Sequence, residues 1–289
     1  QLAGLNIIIQ ADELDSVSEY YQVRGKFSEL IALMEAGVGV DRAHMGIFTE
    51  LSILYANHMA DKLMEHLRLF SARINIPRVI AVCNQVALWP ELAYMYRCYD
   101  EFDNACEVMT QHPDAWEHVV FKDVCVKLSN GDLYYKAIKF YLDEHPTEMT
   151  NLLGVLQSRL DHSRVVALMR KEGKLPMVKE YLLAVQGANL AAVNDAVNEL
   201  AIEEEDHDAL RASVDMYDNC DQLSLALQCE KHELVEFRRI SCHIYQRNSR
   251  WQQAIELSKR DGLLKDAMEI AAKSGDAAIT DDLLDYFIE

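Results

Sequence analysis

The chain has 289 residues, of which 50% are hydrophobic and 26% are charged, and its formal net charge is −19. It contains 11 Gly and 5 Pro, and segments of alternating β-type polarity are scarce, so the composition favours helix over a loop-rich β protein. The negative charge argues against binding to nucleic acid and against direct adhesion to anionic lipid.

Cysteine usage and hydropathy indicate the compartment. The cysteines form an odd set without a Cys-x-x-Cys pair, and most occur on apolar faces, so we interpret them as reduced core residues of a cytosolic protein. No signal peptide and no apolar run of membrane-spanning length is present. The chain begins with Gln1 and stops within the helical pattern Leu283–Glu289, so we expect it to be a segment of a longer protein.

In the first half of the chain, short turns separate apolar helical segments. Gly37 and Gly39 end one such segment, and they are not a phosphate loop because no Gly-Lys-Ser/Thr follows them. Asp41 is the predicted cap of a largely buried helix that includes His44–Tyr55. Pro77 fits the first turn of a later helix, where its missing N–H does no harm.

In the second half, Asn130 and Gly131 predict a turn between helices, and Asp161 is placed to cap the helix after it. The acidic run Glu203–Asp206 is interpreted as the first turn of a helix, where the helix dipole favours negative charge. We find no Ser-, Gly- or Pro-rich linker. Residues 1–289 are therefore predicted to form one continuous helical-repeat segment.

One short pattern recurs along the chain: a residue that closes a helix, a small or polar residue four positions later, and a Phe, Trp or Leu two positions beyond that. Close copies begin at Tyr21, Tyr96, Tyr217 and Tyr245, and looser copies begin at Asp132 and Met169. In the close copies the middle residue allows the turn or caps the next helix. The residues three and four positions beyond the Phe, Trp or Leu share its helical face.

Each copy predicts two helices joined by a turn, and such a hairpin cannot bury its apolar face alone, so hairpins must stack. Self-similarity at intervals of a few tens of residues is the signature of a solenoid. We therefore predict an all-α fold, an α-α superhelix in which helix hairpins stack as an α-zigzag solenoid. The alternative is an ordinary globular helical bundle in which the similarity between copies is accidental.

Longer stretches carry a more specific signal than the repeat. They are, in chain order, Gln10–Leu14, Arg42–Gly46, Phe48–Leu51, Asp103–Ala105, Ser158–His162, Lys174–Lys179, part of Glu203–Asp208, and Lys231–Ile240. On these residues the chain resembles the leg of the clathrin heavy-chain family over essentially its whole length. The resemblance implies larger repeats, one covering about residues 1–147, partial at its start, and the next covering residues 148–289.

The resemblance also implies a function. The segment looks like the proximal leg, a rigid scaffold that packs with other legs into the polyhedral coat of vesicles in endocytosis and in transport between the trans-Golgi network and endosomes. The implied partners are the clathrin light chain and other clathrin heavy chains, which form a homotrimer through a hub helix beyond this segment. The implied location is the cytoplasmic face of coated pits and coated vesicles, without direct membrane insertion.

Two positions depart from the family's pattern. Asn57 and His145 stand where animal members carry lysines that face the light chain, so these positions cannot be carried over as a charge-based site. Candidate residues for contact with the light chain or with another leg are Asn57, His145, Lys171, Lys174, Arg238 and Arg239. Arg238 and Arg239 could instead form salt bridges between hairpins.

We expect no cofactor, no metal and no enzymatic activity. His58 and His66 are eight residues apart rather than at the i, i+4 spacing of zinc-binding helices, and no Gly-x-Ser-x-Gly motif is present. The tryptophans Trp89, Trp116 and Trp251 are interpreted as core residues. A second functional class remains open: a helical-repeat peptide-binding module, such as a vesicle-tethering subunit or a TPR-type adaptor.

Overall fold

The structure, a computed structural model, describes residues 7–288. These residues form nineteen α-helices and five short 3-10 helices, with no strand among them, which confirms the all-α prediction. The α-helices are α1 Ala11–Val23, α2 Phe27–Val38, α3 Met45–His58, α4 Ala60–Phe70, α5 Ile76–Gln85, α6 Trp89–Cys98, α7 Phe102–Gln111, α8 His118–Val126, α9 Gly131–Glu144, α10 Met149–Leu156, α11 His162–Lys171, α12 Lys179–Val185, α13 Ala191–Glu203, α14 His207–Met216, α15 Gln222–Glu230, α16 Val235–Arg247, α17 Trp251–Arg260, α18 Leu264–Ser274 and α19 Ala277–Ile288. The 3-10 helices are Ser71–Arg73, Pro113–Ala115, Pro146–Glu148, Leu175–Val178 and Gln186–Ala188.

The turn residues of the recurring pattern behave as the sequence predicts. Gly25 and Gly173 have φ of 67° and 65°, the left-handed region that glycine enters without steric cost. Asp100 enters the same region with φ of 59°. Asp221 instead caps α15, because its carboxylate accepts the backbone N–H of Ser224 at 3.1 Å.

The predicted cap of α3 is wrong. Asp41 lies in the turn before the helix, and the cap residue is His44, whose Nδ1 accepts the backbone N–H of Gly46 at 3.1 Å. His44 is held there from the other side, because its Nε2 makes a 2.9 Å hydrogen bond with the backbone carbonyl of Ile8. The contact with Ile8 thus determines that His44 is the residue that caps α3.

The interpretation of the acidic run is also wrong for three of its four residues. Glu203 ends α13 and Glu204 is its C-terminal cap, because the buried face of α13 extends to Ala201 and carries the helix into the acidic run. Glu205 has φ of 57° and completes the turn. Asp206 alone of the four lies at a helix start, where it caps α14.

The chain divides into two compact units, Gln1–Leu156 and Gln157–Glu289, of which the structure describes residues 7–156 and 157–288. We call them unit 1 and unit 2. In unit 1, the core is built around α3, whose Ile47 and Phe48 are fully buried and pack with Leu63 and Leu67 of α4. The division of the chain into repeats at residues 147 and 148 stays a prediction.

In unit 2, small side chains let the helices approach closely. Ala226 of α15, Ala254 of α17 and Ala267 of α18 are fully buried, as is Phe237 of α16 among them. An alanine at these positions leaves room for the neighbouring helix, and the larger Phe237 fills the space between turns. Ala226 and Ala254 lie three positions beyond Leu223 and Trp251, at a position that the recurring pattern places on the shared helical face.

Within each unit, hydrogen bonds join each hairpin to the next. In unit 1, Asp103 Oδ1 accepts the backbone N–H of Ser129 at 2.9 Å, across 26 residues of sequence. The same contact occurs in unit 2, where Asp195 Oδ1 accepts the backbone N–H of Asp221 at 3.1 Å, also across 26 residues. Contacts at one constant sequence separation are what a stack of helix hairpins requires, so each unit is a helical-hairpin solenoid.

Most of the cysteines are buried as predicted, whereas the tryptophans are less buried than the sequence predicts. All seven cysteines are free; five of them are buried, whereas Cys220 is half-buried and Cys98 is exposed. The three tryptophans are half-buried rather than fully buried, and Trp89 and Trp251 pack against the edges of the two cores. The indole ring is too large for the narrow space between two helices, so it lies at the rim.

Candidate partner-binding surface

Asn57, the first of the predicted contact residues, is exposed in the last turn of α3. Its Nδ2 donates to the backbone carbonyl of Ile53 at 2.8 Å, so one amide hydrogen bond is used within its own helix. The amide carbonyl of Asn57 can still accept a hydrogen bond from a partner.

His145, the second predicted contact residue, is the C-terminal cap of α9 and is half-buried. Its imidazole lies face to face with the indole of Trp116, with ring centroids 3.7 Å apart and planes at 7°. The indole Nε1 of Trp116 is buried and has no hydrogen-bond partner among the described residues. His145 therefore first serves to close its own hairpin, and its exposed edge is what a partner could reach.

Lys171 and Lys174 flank one turn of unit 2. Lys171 ends α11, Lys174 precedes the 3-10 helix Leu175–Val178, and both side chains are exposed. Gly173 between them is in the left-handed conformation, which reverses the chain over three residues. The turn thus presents two ammonium groups at one end of a hairpin.

The side chain of Arg238 is hydrogen-bonded to other residues of the same chain. Its Nε donates to Asp261 Oδ2 at 2.7 Å, and its Nη1 donates to the backbone carbonyls of His232 and Glu233, each at 2.7 Å. The side chains of Arg238 and Asp261 are 17% and 8% exposed. The structure thus shows a salt bridge within one hairpin, from α16 to the C-terminal cap of α17, rather than the salt bridge between hairpins that the sequence left as an alternative for this residue.

Arg239 is paired more loosely. Its Nε and Nη2 both donate to Asp266 Oδ2, at 3.0 and 2.9 Å, which joins α16 to α18. The side chain of Arg239 is 56% exposed, so its guanidinium can still meet a partner. Of the two arginines, Arg239 is the better contact candidate.

The sequence did not predict a cleft of about 350 Å³ between α2, α3 and α4. Hydrogen bonds organise its rim: Tyr55 donates its hydroxyl to Glu35 Oε1 at 2.7 Å, and Lys62 donates to the same oxygen at 2.9 Å. The hydrogen bonds from Tyr55 and Lys62 lower the pKa of Glu35. Burial and the Glu35 carboxylate raise the pKa of Tyr55. The rim therefore carries Glu35 as a carboxylate beneath a neutral phenol and an ammonium group.

The floor of this cleft is aromatic. His66 is 6% exposed, and its imidazole makes ring contacts with Phe48, Tyr55 and Phe70 at centroid distances of 6.5, 5.6 and 5.0 Å. Its Nε2 is 3.1 Å from the backbone carbonyl of Phe48 and donates to it. Burial lowers the pKa of His66, so the ring is neutral in the fold near pH 7.

Leu69 supplies the apolar edge of the cleft. It lies outside the buried stripe of α4 and is 67% exposed. An apolar groove with a charged rim is the form in which proteins bind an amphipathic helix. Leu69, an apolar residue off the periodic stripe, was the available sequence signal for this surface.

Within residues 7–288, no group of three or more His, Cys, Asp and Glu side chains is arranged to hold a metal ion. In the same residues, no helix combines the length and the apolar character needed to cross a bilayer.

Comparison with known proteins identifies the family. The family model described as "Clathrin: Region in Clathrin and VPS" matches residues 5–149 and again residues 153–289. Clathrin heavy chain 1 of Oryza sativa is 58% identical over 290 residues, covering 100% of this chain and 17% of the relative. Clathrin heavy chain 2 of Homo sapiens is 51% identical (100% of this chain, 18% of the relative), and the clathrin heavy chain of Dictyostelium discoideum is 50% identical (100% and 17%). The chain spans less than a fifth of the length of these relatives. It belongs to the clathrin heavy-chain family.

Proposed function

We propose that this chain is a leg segment of a clathrin heavy chain and acts as a scaffold, not as an enzyme. Its hairpins would pack against other heavy chains to build the polyhedral coat of vesicles, on the cytoplasmic face of coated pits, in endocytosis and in trans-Golgi and endosomal transport. The observation that carries the proposal is the stacking of hairpins within each unit, together with full-length similarity to named clathrin heavy chains.

The contacts between hairpins support a stiff element. Polar bonds join neighbouring helices across the stack, such as Arg170 to Glu199 at 2.7 Å and Lys136 to Glu107 at 3.2 Å, both across 29 residues. The stability of a solenoid is approximately the sum of the stabilities of its repeats and of such nearest-neighbour interfaces, so each interface resists the separation of its two hairpins. Stiffness is what a leg that spans the edge of a cage needs.

The titratable groups also fit a structural role. Shifted pKa values are common at catalytic sites, but here they belong to groups that tie helices together or lie in the core. Glu35 with Tyr55 is such a tie, and the buried thiols of Cys83 and Cys229 have pKa values raised by burial to about 12, which makes them poor nucleophiles. These features support the scaffold over a catalyst.

We further propose that the clathrin light chain binds this segment as an extended helix, with the cleft between α2, α3 and α4 as one docking point. The aromatic floor around His66 would take an apolar side chain of that helix, and Leu69 would cover it. Since the chain carries a net charge of −19, apolar contact would supply the main affinity.

Electron microscopy of the purified full-length heavy chain tests the scaffold. Closed polyhedral cages are the expected result; monomers or open fibres under the same conditions would favour the alternative, a tethering or adaptor protein built from helical repeats. For the light chain, Leu69→Glu should weaken binding in calorimetry, whereas Val119→Glu, at another exposed apolar position in unit 1, should not. Equal binding by both variants would show that the light chain does not dock in this cleft. It would not contradict the proposed scaffold role.

A further inference from the structure

Three polar side chains join α14 to α16 in unit 2. Arg211 and Asp215 are one turn apart on α14, and Arg211 Nε donates to Asp215 Oδ2 at 2.9 Å. His243 of α16 lies against both: Arg211 Nη2 is 3.2 Å from its Nδ1, and its Nε2 is 2.9 Å from Asp215 Oδ1. The three groups thus form a closed ring of hydrogen bonds.

The chemistry of arginine assigns the proton on His243. A guanidinium group can donate hydrogen bonds but cannot accept one, so Nδ1 of His243 must be the acceptor from Arg211. The ring proton then lies on Nε2, where it is donated to the Asp215 carboxylate. The ring of bonds therefore requires a neutral imidazole in the Nε2–H tautomer.

The other charged groups near His243 have hydrogen-bond partners of their own. Arg247, on the same helix, donates to the backbone carbonyl of Val214 at 2.5 Å and adds positive charge beside the imidazole. Glu230 of the neighbouring α15 is bound to the hydroxyl of Tyr245 at 2.8 Å. Asp215 is therefore the carboxylate in contact with His243, and it is shared with Arg211.

His243 also borders a cleft of about 270 Å³ that α18 closes. From α18 the cleft is lined by Asp266, Glu269 and Lys273, and Asp266 is paired with Arg239. From α17 it is lined by the uncharged Ser258. The positive charges of Arg239 and Lys273 offset the negative charges of Asp266 and Glu269. The cleft gives water access to the imidazole of His243, whose side chain is 26% exposed.

We propose that His243 is a proton-sensitive latch between α14 and α16, which holds Arg211 while neutral and releases it when protonated. A proton on Nδ1 would face the N–H groups of Arg211, so that hydrogen bond would be replaced by repulsion. The imidazolium would still pair with Asp215, but it would compete with Arg211 for that carboxylate. Acidification therefore loosens the stacking of α14 on α16. This device goes beyond the scaffold role and does not depend on it.

The direction of the pH effect follows from the environment. Burial, and after it the charge of Arg211, lowers the pKa of His243 below its usual value of 6.5, while Asp215 opposes the shift. The unfolded chain then binds the proton at a higher pH than the folded chain does. The contribution of the latch to stability is complete above pH 6.5 and is lost as the pH falls from there through the pKa of the folded state.

Two measurements on the whole chain test the latch. Nitrogen NMR of the histidine rings at about pH 7.5 should find His243 neutral, as the Nε2–H tautomer, with a pKa below 6.5. Hydrogen exchange, corrected for the intrinsic effect of pH, should rise about five- to tenfold in peptides of α14 and α16 between about pH 7.5 and 5.5, the loss expected for one hydrogen bond. An Nδ1–H tautomer or an unshifted pKa would overturn the proposal.

His243→Gln supplies the sharper comparison. Its amide can donate to Asp215 and accept from Arg211, but it does not titrate, so exchange in α14 and α16 should become independent of pH over this range. The matched control is His207→Gln, which removes a half-buried histidine from the start of α14 and should retain the full pH response. A response retained in His243→Gln would refute the latch, and if that variant fails to fold, the ring tautomer of the unsubstituted chain decides.

Discussion

The indole of Trp116 and the imidazole of His145 lie in parallel planes 3.7 Å apart, and they join the two ends of one hairpin. The same arrangement occurs in Trp89 and His112, whose ring centroids are also 3.7 Å apart with planes at 3°. In each pair the histidine is the C-terminal cap of the second helix; Trp89 is the first residue of α6, whereas Trp116 lies two residues before α8. We call this arrangement the ring clasp.

Replacing the histidine should open a clasp locally. His145→Ala is expected to cost about 1 kcal/mol, the usual worth of a stacked ring pair beyond its area burial, and to speed hydrogen exchange at the end of α9 and the start of α8. His112→Ala should do the same in α6 and α7. Lys171→Ala, an exposed change in unit 2, is the control and should stay within about 0.5 kcal/mol. No local change in either histidine variant would mean that the stacks contribute no stability.

The two adjacent arginines of α16 should differ sharply. Arg238→Ala leaves the carboxylate of Asp261 buried without its partner, so we expect a loss of about 3–5 kcal/mol in unfolding free energy. Arg239→Ala breaks an exposed pair and should cost less than about 1 kcal/mol. Urea unfolding of the two variants measures the difference. Equal losses would contradict the structural role assigned to Arg238.

Unit 1 should also lose stability in acid, through His66. Burial lowers the pKa of this imidazole in the fold, although the hydrogen bond to the carbonyl of Phe48 opposes the shift. Below the usual pKa of 6.5 the unfolded chain therefore takes up a proton that the folded chain does not, and stability falls with pH until the folded pKa is reached. Hydrogen exchange in α3 and α4, compared between about pH 7.5 and 5.5, measures this loss of stability.

His66→Phe is the companion variant, because phenylalanine fills a similar volume without titrating. The Phe48 carbonyl would still accept the hydroxyl of Ser52 at 2.8 Å, so it is not left without a donor. We expect the acid response of α3 and α4 to disappear in this variant while that of α14 and α16 persists. An unchanged response in α3 and α4 would assign the effect to another group.

Light-chain affinity should depend weakly on salt. If apolar contact in a groove supplies the affinity, screening with a Debye length of about 8 Å near physiological ionic strength removes repulsion from this acidic chain as well as any attraction. Affinity measured by titration calorimetry should stay flat, or improve slightly, from low to moderate salt. A drop of about tenfold or more would indicate a basic patch instead, with Lys171, Lys174 and Arg239 as candidates.

Much of the fold could be read from the sequence, because local chemistry decides it. The left-handed turns at Gly25 and Gly173 and the cap at Asp221 depend on residues within a few positions of each turn. Apolar spacing after each turn fixes which face of a helix is buried, and repetition of the pattern implies stacking. These signals needed no knowledge of distant contacts.

The contacts between residues that are distant in sequence were decided by tertiary structure. His44 rather than Asp41 caps α3 because the carbonyl of Ile8, 36 residues earlier, fixes its ring. Arg238 and Arg239 look alike in sequence, yet one is enclosed by Asp261 and two carbonyls while the other stays exposed. Sequence periodicity specifies the face that a side chain occupies, but its burial and its charge partners depend on the helix about 30 residues away that packs against that face.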